Sequence, residues 1–244
     1  MEEILFLCLL FIVAFLYASV GHGGASGYLA LMAIFGIAPD IMKPSALLLN
    51  LFVSLMSFIQ FYRSGHFRWN LFWPFALASV PLSFLGGWLT VDAVIYKKIL
   101  GVLLLIPILR FVWLRFQEDA PHQKASIPLS LGVGGGIGFL SGLIGIGGGI
   151  ILSPVLLLLR WADQKQTAAI SALFIFVNSL AGLGGQLTKS FHFPTETIGW
   201  VGIAFMGGSI GAWLGARRFQ QQLLQYVLAA VLLIAAWKLL FTTA

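Results

Sequence analysis

The residues best suited to chemistry form a glycine cluster at 145–149, which reads Gly-Ile-Gly-Gly-Gly between two apolar stretches. Each glycine weakens a helix by about 1 kcal/mol relative to alanine, so a helix is predicted to break here. A break in lipid leaves unpaired N–H and C=O groups, and is tolerable only inside protein or beside a cavity. The N–H groups that begin the next helix are then able to bind an anion. The alternative is that the glycines serve close helix packing.

A second glycine cluster near the N-terminus adds further donors to this hypothesis. We expect contacts to an anion from the backbone N–H groups of Gly23, Gly24, Gly147 and Gly148. Polar side chains in otherwise apolar helices are the candidates for additional contacts: Ser45, Asn50, Ser171, Asn178 and Gln186. Each of these could instead form a hydrogen bond between helices, worth about 0.6 kcal/mol.

His22 directly precedes the first glycine pair and is the candidate for proton coupling. Histidine changes its charge between about pH 5 and 8, and the predicted helices contain no carboxylate for this role. The alternative is a packed, neutral histidine, which is the common state of a lone histidine in a membrane protein.

The composition identifies the elements that must hold these residues. Apolar residues make up 59% of the chain and charged residues 9%, whereas a soluble domain carries about 25% charged residues. Long segments such as Leu47–Tyr62 and Ile198–Ala216 contain no charge. A membrane-spanning helix needs roughly 20 such residues, and continuous apolar runs favour helices over a barrel. The sequence therefore predicts an all-α, polytopic membrane protein.

Charge and cysteine content exclude several functions. The basic residues behind the net charge of +6 stand singly or in pairs at segment ends, where they contact lipid headgroups rather than nucleic acid. The single cysteine, Cys8, offers neither a disulfide nor a thiolate metal site. The sequence contains no nucleotide-binding loop, which argues against ATP-driven transport by this chain. We expect no cofactor, no metal ion and no enzymatic activity. The expected partners are a small anion and the lipid bilayer, and a homo-oligomer is left open.

The chain repeats its landmarks after 124–126 positions. Residues 15–24 match 139–148, Ser45 matches Ser171, and the Gly-Gly-Trp at 86–88 matches the Gly-Ala-Trp at 211–213. Collinear landmarks of this kind predict a duplication, with a first repeat at 1–116, a polar linker at 117–126 and a second repeat at 127–244. Paired interruptions in two halves are typical of a transporter's binding site.

Each repeat is predicted to contain one broken helix and three further helices. A long apolar segment runs into the glycines, and a short apolar segment follows at 28–37 or 150–159. The further helices are expected near 43–62, 71–90, 97–116, 167–187, 197–216 and 222–241. This gives about eight full crossings.

The direction of the short segment decides how the halves are related. If it re-enters and returns, the second half is inverted; if it continues across, the halves are parallel. The inverted arrangement divides the Lys and Arg residues nine to five between the two sides, and the parallel one seven to seven. The positive-inside rule therefore favours inverted halves with both termini outside the cytoplasm.

The second glycine cluster and the helix after it carry a family resemblance. Residues 141–150, followed by Pro154, and the segment Ala168–Ser179 resemble the TauE/SafE family of sulfite and organosulfonate permeases. The likeness covers essentially the whole chain, although the first copy departs from it at His22 and at Ala25-Ser26. The resemblance implies secondary transport of sulfite or another small sulfur-containing oxyanion across a bacterial cytoplasmic membrane. The anion would bind near the bilayer midplane at the two broken helices.

Two other functions fit parts of the sequence. Broken helices without carboxylates also suit a passive anion channel. The stretch Gly24–Gly27 matches the Gly-x-Ser-Gly element of rhomboid-like intramembrane serine proteases. That chemistry needs a histidine at membrane depth, and a duplication has no role in it.

Overall fold

The structure is a computed structural model that describes residues 2–113, 123–188, 195–217 and 237. The helices with described bounds are α1 (Glu2–Ser19), α2 (Ala25–Ile34), α3 (Pro39–Arg63), α4 (Trp69–Trp88), α5 (Ala93–Trp113), α6 (Ile127–Ile144), α7 (Gly149–Leu158), α8 (Gln164–Leu187) and α9 (Glu196–Arg217). No strand occurs in the described ranges, so the prediction of an all-α fold is confirmed for them. The helix expected near 222–241 lies outside the described residues except for position 237. Residues 117–122 of the linker predicted at 117–126 lie outside them as well.

Six of the described helices are long and apolar enough to cross a membrane: α1, α3, α4, α6, α8 and α9. In contrast, α2 and α7 have ten residues each. Such a helix is about 15 Å long, which is half of the roughly 30 Å hydrocarbon core. Both short helices are buried along most of their length, so protein rather than lipid surrounds them.

Each short helix returns to the side on which the preceding long helix began. The ring of Phe6, in the second turn of α1, lies 5.3 Å from the ring of Phe35, which directly follows α2. Likewise, the N–H of Gln123, shortly before α6, donates to the carbonyl of Arg160, shortly after α7, at 2.8 Å. In each half, the chain travels back along the long helix through the glycine stretch and the short helix that follows it.

Glycines allow two pairs of helices to approach until their backbones touch. In α9, three glycines spaced four residues apart face backbone carbonyls of α1: Gly207, Gly211 and Gly215 face Phe11, Phe15 and Ser19. The same pattern joins α6 to α4: Gly134, Gly138 and Gly142 face Phe75, Ser79 and Ser83. Residue numbers rise together in both pairs, so each pair runs parallel. A side chain at any of these glycines would collide with the neighbouring backbone.

Helices α3 and α8 form an antiparallel pair. Along the pair, Leu47 faces Gly182, Asn50 faces Ser179, and Phe61 shares a hydrophobic cluster with Ala168. As residue numbers rise on α3 they fall on α8, and the pairing brings the middle of α3 against α8.

The remaining contacts fix the other helix directions. Ser83 of α4 donates to the carbonyl of Asn178 at 2.8 Å, and Gly87 packs on Gly182 one turn further on, so α4 runs parallel to α8. On the other side, α9 runs parallel to α3, because Gly208 packs on Val53 and Ala216 joins the cluster of Phe61. Helices α1, α3 and α9 thus run in one direction, and α4, α6 and α8 in the other.

Candidate substrate-binding site

Both glycine clusters interrupt the helical path with left-handed backbone conformations, which glycine adopts without strain. In the first break, φ is 78° at Gly21 and 98° at Gly24. In the second, φ is 88° at Gly145, 72° at Gly147 and 79° at Gly148. Helices α2 and α7 begin directly after these breaks, without a side-chain cap. The interruption predicted at 145–149 lies where α6 ends and α7 begins.

The two breaks meet at the side chain of Asn50. Gly23 packs against Asn50 Oδ1 and Ile175, and Gly147 packs against Asn50 Nδ2, Ile175 and Ser179. A methyl group at either glycine would collide with the asparagine. Two segments that are 124 residues apart in the sequence thus lie on opposite sides of one amide group.

Hydrogen bonds fix the orientation of the Asn50 amide. The N–H of Ala25, the first residue of α2, donates to Oδ1 at 3.0 Å, and Nδ2 donates to Ser179 Oγ at 3.3 Å. A backbone N–H can only donate, so the atom facing Ala25 must be the amide oxygen. Asn50 and Ser179 are fully buried. Asn50 therefore satisfies one donor at the start of α2 and joins α3 to α8.

The glycine N–H groups near this amide are available as donors. Within the described ranges, those of Gly23, Gly24, Gly147 and Gly148 donate to no protein acceptor. All four glycines are buried. The first N–H groups of a helix lack intrahelical partners, and the helix dipole makes this end favourable for negative charge. The arrangement suits an anion.

His22 links the first break to the second half of the chain. Its Nδ1 lies 3.1 Å from the carbonyl oxygen of Val20, and its Nε2 lies 3.0 Å from Ser153 Oγ on α7. Ser153 in turn contacts Ser171 Oγ on α8 at 2.8 Å. Because a carbonyl oxygen only accepts, Nδ1 carries a hydrogen, and in the neutral ring Nε2 accepts from Ser153.

The other predicted side chains lie at different distances from this centre. Ser171 belongs to the contact chain of His22. Asn178 is next to Ser179 and donates from Nδ2 to the carbonyl of Phe174 at 2.8 Å. Ser45 is five residues before Asn50, and Gln186 is seven residues after Ser179, so they lie about 8 and 10 Å further along their helices. The structure does not bring these last two to the meeting point of the breaks.

Three serines that sequence analysis did not select contribute to the site. Ser179 bonds Asn50, Ser153 bonds His22, and Ser141 packs beside Gly148. Serine is common in membrane helices as a packing residue, so residue type alone did not distinguish them. Of the three, only Ser153 could have been found from its local sequence, because it lies one turn after Gly149 in the second glycine cluster.

Lys43, which sequence analysis did not select, lies beside the second break. Helix α3 begins at Pro39, four residues earlier than expected, which places Lys43 inside the helix. Its Nζ lies 3.4 to 3.5 Å from the carbonyl oxygens of Gly86, Gly87 and Leu89, where α4 ends. The negative end of a helix dipole favours a cation there. The backbone of Lys43 also packs against Gly145.

The serine of the rhomboid-like element has a structural partner. Ser26 Oγ donates to the hydroxyl of Tyr17 at 2.9 Å, and both residues are buried. This contact holds α2 against α1.

A helical membrane protein whose interrupted helices enclose a buried polar centre has the architecture of a membrane transporter. The chain belongs to the sulfite exporter TauE/SafE family, whose sequence model matches residues 5–239. The resemblance found in the sequence is thereby confirmed.

Similar proteins also carry the description of membrane transporters. The chain is 36% identical over 235 residues to the probable membrane transporter protein y4hK of Sinorhizobium fredii, covering 95% of each chain. It is 30% identical over 217 residues to the probable membrane transporter protein MJ0441 of Methanocaldococcus jannaschii, covering 83% of this chain and 80% of the relative. No solved structure matches the chain. The family and these relatives support transport rather than enzymatic activity.

Proposed function

We propose that the protein is a secondary transporter of a small sulfur-containing oxyanion, such as sulfite or an organosulfonate, in a bacterial cytoplasmic membrane. The main support is the meeting of both glycine breaks at Asn50. The description of the family as sulfite exporters supports the substrate class. The names of the relatives state membrane transport without naming a substrate.

The anion binds between the two breaks, near the bilayer midplane. Its oxygens accept hydrogen bonds from the N–H groups of Gly23, Gly24, Gly147 and Gly148, beside the amide of Asn50. Asn50 is eleven residues after the start of α3 at Pro39 and thirteen before its end at Arg63, so it lies near the middle of a membrane-length helix. The N-termini of α2 and α7 give the site a favourable electrostatic potential without a cationic side chain.

The protein consists of two inverted repeats, 1–116 and 127–244, joined by the linker 117–126. Helix directions support this arrangement, because α1, α3 and α9 run opposite to their counterparts α6, α8 and α4. Reciprocal contacts support it as well: Gly86 packs on the carbonyl of Phe139, and Gly211 packs on the carbonyl of Phe15. Gly86 and Gly211 are 125 positions apart, and Phe15 and Phe139 are 124 apart. With α5 and the segment near 222–241, the six apolar spans make eight crossings.

A carrier fits the site better than a passive channel. Asn50 and Ser179 have no exposed surface, and Gly23 and Gly147 are also buried. A closed centre of this kind is expected of a carrier between its two open states, whereas a conducting pore needs a continuous wet path.

His22 couples transport to protons in this proposal. Protonation of Nε2 converts it from an acceptor into a donor toward Ser153, which must then turn its own hydroxyl toward Ser171 or toward the carbonyl of Gly149, 2.9 Å away. A positive charge on His22, in the first break, thus changes the contacts of α7, which belongs to the other half of the chain.

Flux measurements test the proposed function. Purified protein in proteoliposomes is given labelled sulfite, with unlabelled taurine, thiosulfate, sulfate and sulfoacetate as competitors. Saturable uptake that one or more of these anions inhibits is the expected result. Absence of flux for every sulfur anion, from protein that remains folded and monodisperse, would refute the substrate class. Single-channel currents would favour the channel.

A further inference from the structure

Two buried polar atoms beside the start of α7 have no partner in the described structure. They are Oγ of Ser141 and Oδ1 of Asn178, and both residues are fully buried. Ser141 lies on α6 with its Cβ 3.4 Å from the position that a Cβ on Gly148 would occupy. The ring of Phe174 packs against the same glycine, and the Phe174 carbonyl holds the Asn178 amide. Ser141 thus lies beside Gly148, and Asn178 lies one helical turn after Phe174, whose ring packs on that glycine.

Chemistry fixes which atom of the Asn178 amide is unpartnered. The contact with the Phe174 carbonyl, at 2.8 Å, must be made by Nδ2, because a carbonyl oxygen cannot donate. The remaining atom is Oδ1, which can only accept. A buried acceptor without a partner costs about 1–3 kcal/mol. A ligand that offers a hydrogen would remove this penalty.

Building on the proposed function, we infer that the site binds sulfite as the singly charged hydrogen sulfite ion rather than as the dianion. The N–H of Gly148 and the hydroxyl of Ser141 donate to the negative oxygens of the anion. Asn178 Oδ1 accepts the hydrogen that the anion itself carries. A dianion has no hydrogen to give, so its oxygens would face the lone pairs of Oδ1.

The charges around the site favour the same form. Helices α4, α6 and α7 contain no ionisable side chain along their described length. The ionisable groups that approach from other described elements are His22, through Ser153 on α7, and Lys43 of α3, beside Gly145. Tyr96 of α5 is a third, and its hydroxyl donates to the carbonyl of Ile144 at 2.8 Å. Lys43 Nζ lies at the carbonyls that end α4. Burying a charge without a close counter-ion is costly, and the cost rises with the square of the charge.

The test separates protonation of the substrate from protonation of the carrier. Wild-type protein in proteoliposomes takes up labelled sulfite over a pH range that spans the loss of the hydrogen sulfite proton, and the KM for total sulfite is measured. Unlabelled methanesulfonate, which has one charge at every pH in this range and no acidic hydrogen, is the reference competitor. Unlabelled sulfate is the dianionic competitor.

We expect the KM for total sulfite to rise about tenfold for each pH unit on the alkaline side, because only the hydrogen form binds. Methanesulfonate has one charge but no hydrogen to give to Asn178, so it inhibits more weakly than hydrogen sulfite binds, and its inhibition constant does not change with pH. Sulfate does not inhibit. In Asn178→Leu the KM on the acid side rises about tenfold, since the acceptor is lost. The matched change Asn70→Leu, at an exposed asparagine at the start of α4, leaves the KM unchanged.

Three results would overturn the inference while leaving the proposed function intact. The first is a KM for total sulfite that does not change with pH, and the second is inhibition by sulfate as strong as that by sulfite. The third is a methanesulfonate constant that rises with pH in parallel with the KM, which would assign the effect to the carrier. Absence of saturable uptake at every pH would instead refute the proposed function itself.

Discussion

The Nδ2 atom of Asn50 donates a hydrogen bond to Oγ of Ser179 at 3.3 Å, and this contact joins the middle of α3 to α8. The same amide accepts the N–H of Ala25 at the start of α2 and lies against Gly147 in the second break. One side chain therefore touches both long central helices and both breaks. Movement of either break must change at least one of these contacts, as a carrier with a central site requires.

The inverted arrangement predicts where single cysteines react with a membrane-impermeant thiol reagent. In a Cys8→Ser background, cysteines replace the exposed residues Glu3, Ser64 and Thr90, one at a time. Since α2 returns to the side where α1 began, Glu3 and Thr90 should react from one side of the membrane and Ser64 from the other. Labelling of positions 3 and 64 from the same side would instead support parallel halves.

The second break should not tolerate a side chain at Gly147. Alanine at its φ of 72° costs about 1–2 kcal/mol, and its methyl group would press on Asn50 and Ile175. Gly147→Ala should therefore lower the melting temperature and reduce sulfite uptake at least about tenfold. The control is Gly136→Ala on α6, where the added Cβ meets open space. Uptake by Gly147→Ala at the wild-type rate would exclude the glycine from the site.

Replacing His22 should uncouple transport from the proton gradient. Glutamine can bond Val20 and Ser153 as a neutral imidazole does but cannot take up a proton. Uptake by His22→Gln should keep the wild-type KM and lose its acceleration by an inward proton gradient. His66→Gln, in the loop between α3 and α4, serves as the control. Normal acceleration in His22→Gln would show that the histidine is a packing residue.

The elements of the fold were largely predictable because each depends on local physics. The glycine run at 145–149 breaks the helix, since Gly147 and Gly148 adopt a left-handed conformation. Continuous apolar runs predicted the long helices within a few residues. The early start of α3 was missed, although Pro39 in the first turn is a known helix-start signal. That shift places Lys43 one turn inside α3 rather than at its first residue.

The centre of the site was only partly predictable. Asn50 was a candidate by residue type, but its contact with both breaks depends on the antiparallel register of α3 against α8. That register arises from pairs such as Leu47 with Gly182, which are 135 positions apart. Ser153 and Ser179 were missed for the same reason, since their roles follow from their distant partners. Ser45 and Gln186 share the residue types of the site but lie further along their helices.

The central claim is that the substrate binds where the two breaks meet at Asn50. The most direct measurement is the initial rate of labelled sulfite uptake by Asn50→Leu, beside wild type and Asn70→Leu, with reconstituted protein matched in amount and checked for folding. Leucine has a similar size but can neither accept from Ala25 nor donate to Ser179. If the substrate binds there, uptake by Asn50→Leu should be at least about tenfold below wild type, and uptake by Asn70→Leu should keep the wild-type rate. Uptake by folded Asn50→Leu with the wild-type rate and KM would contradict the account.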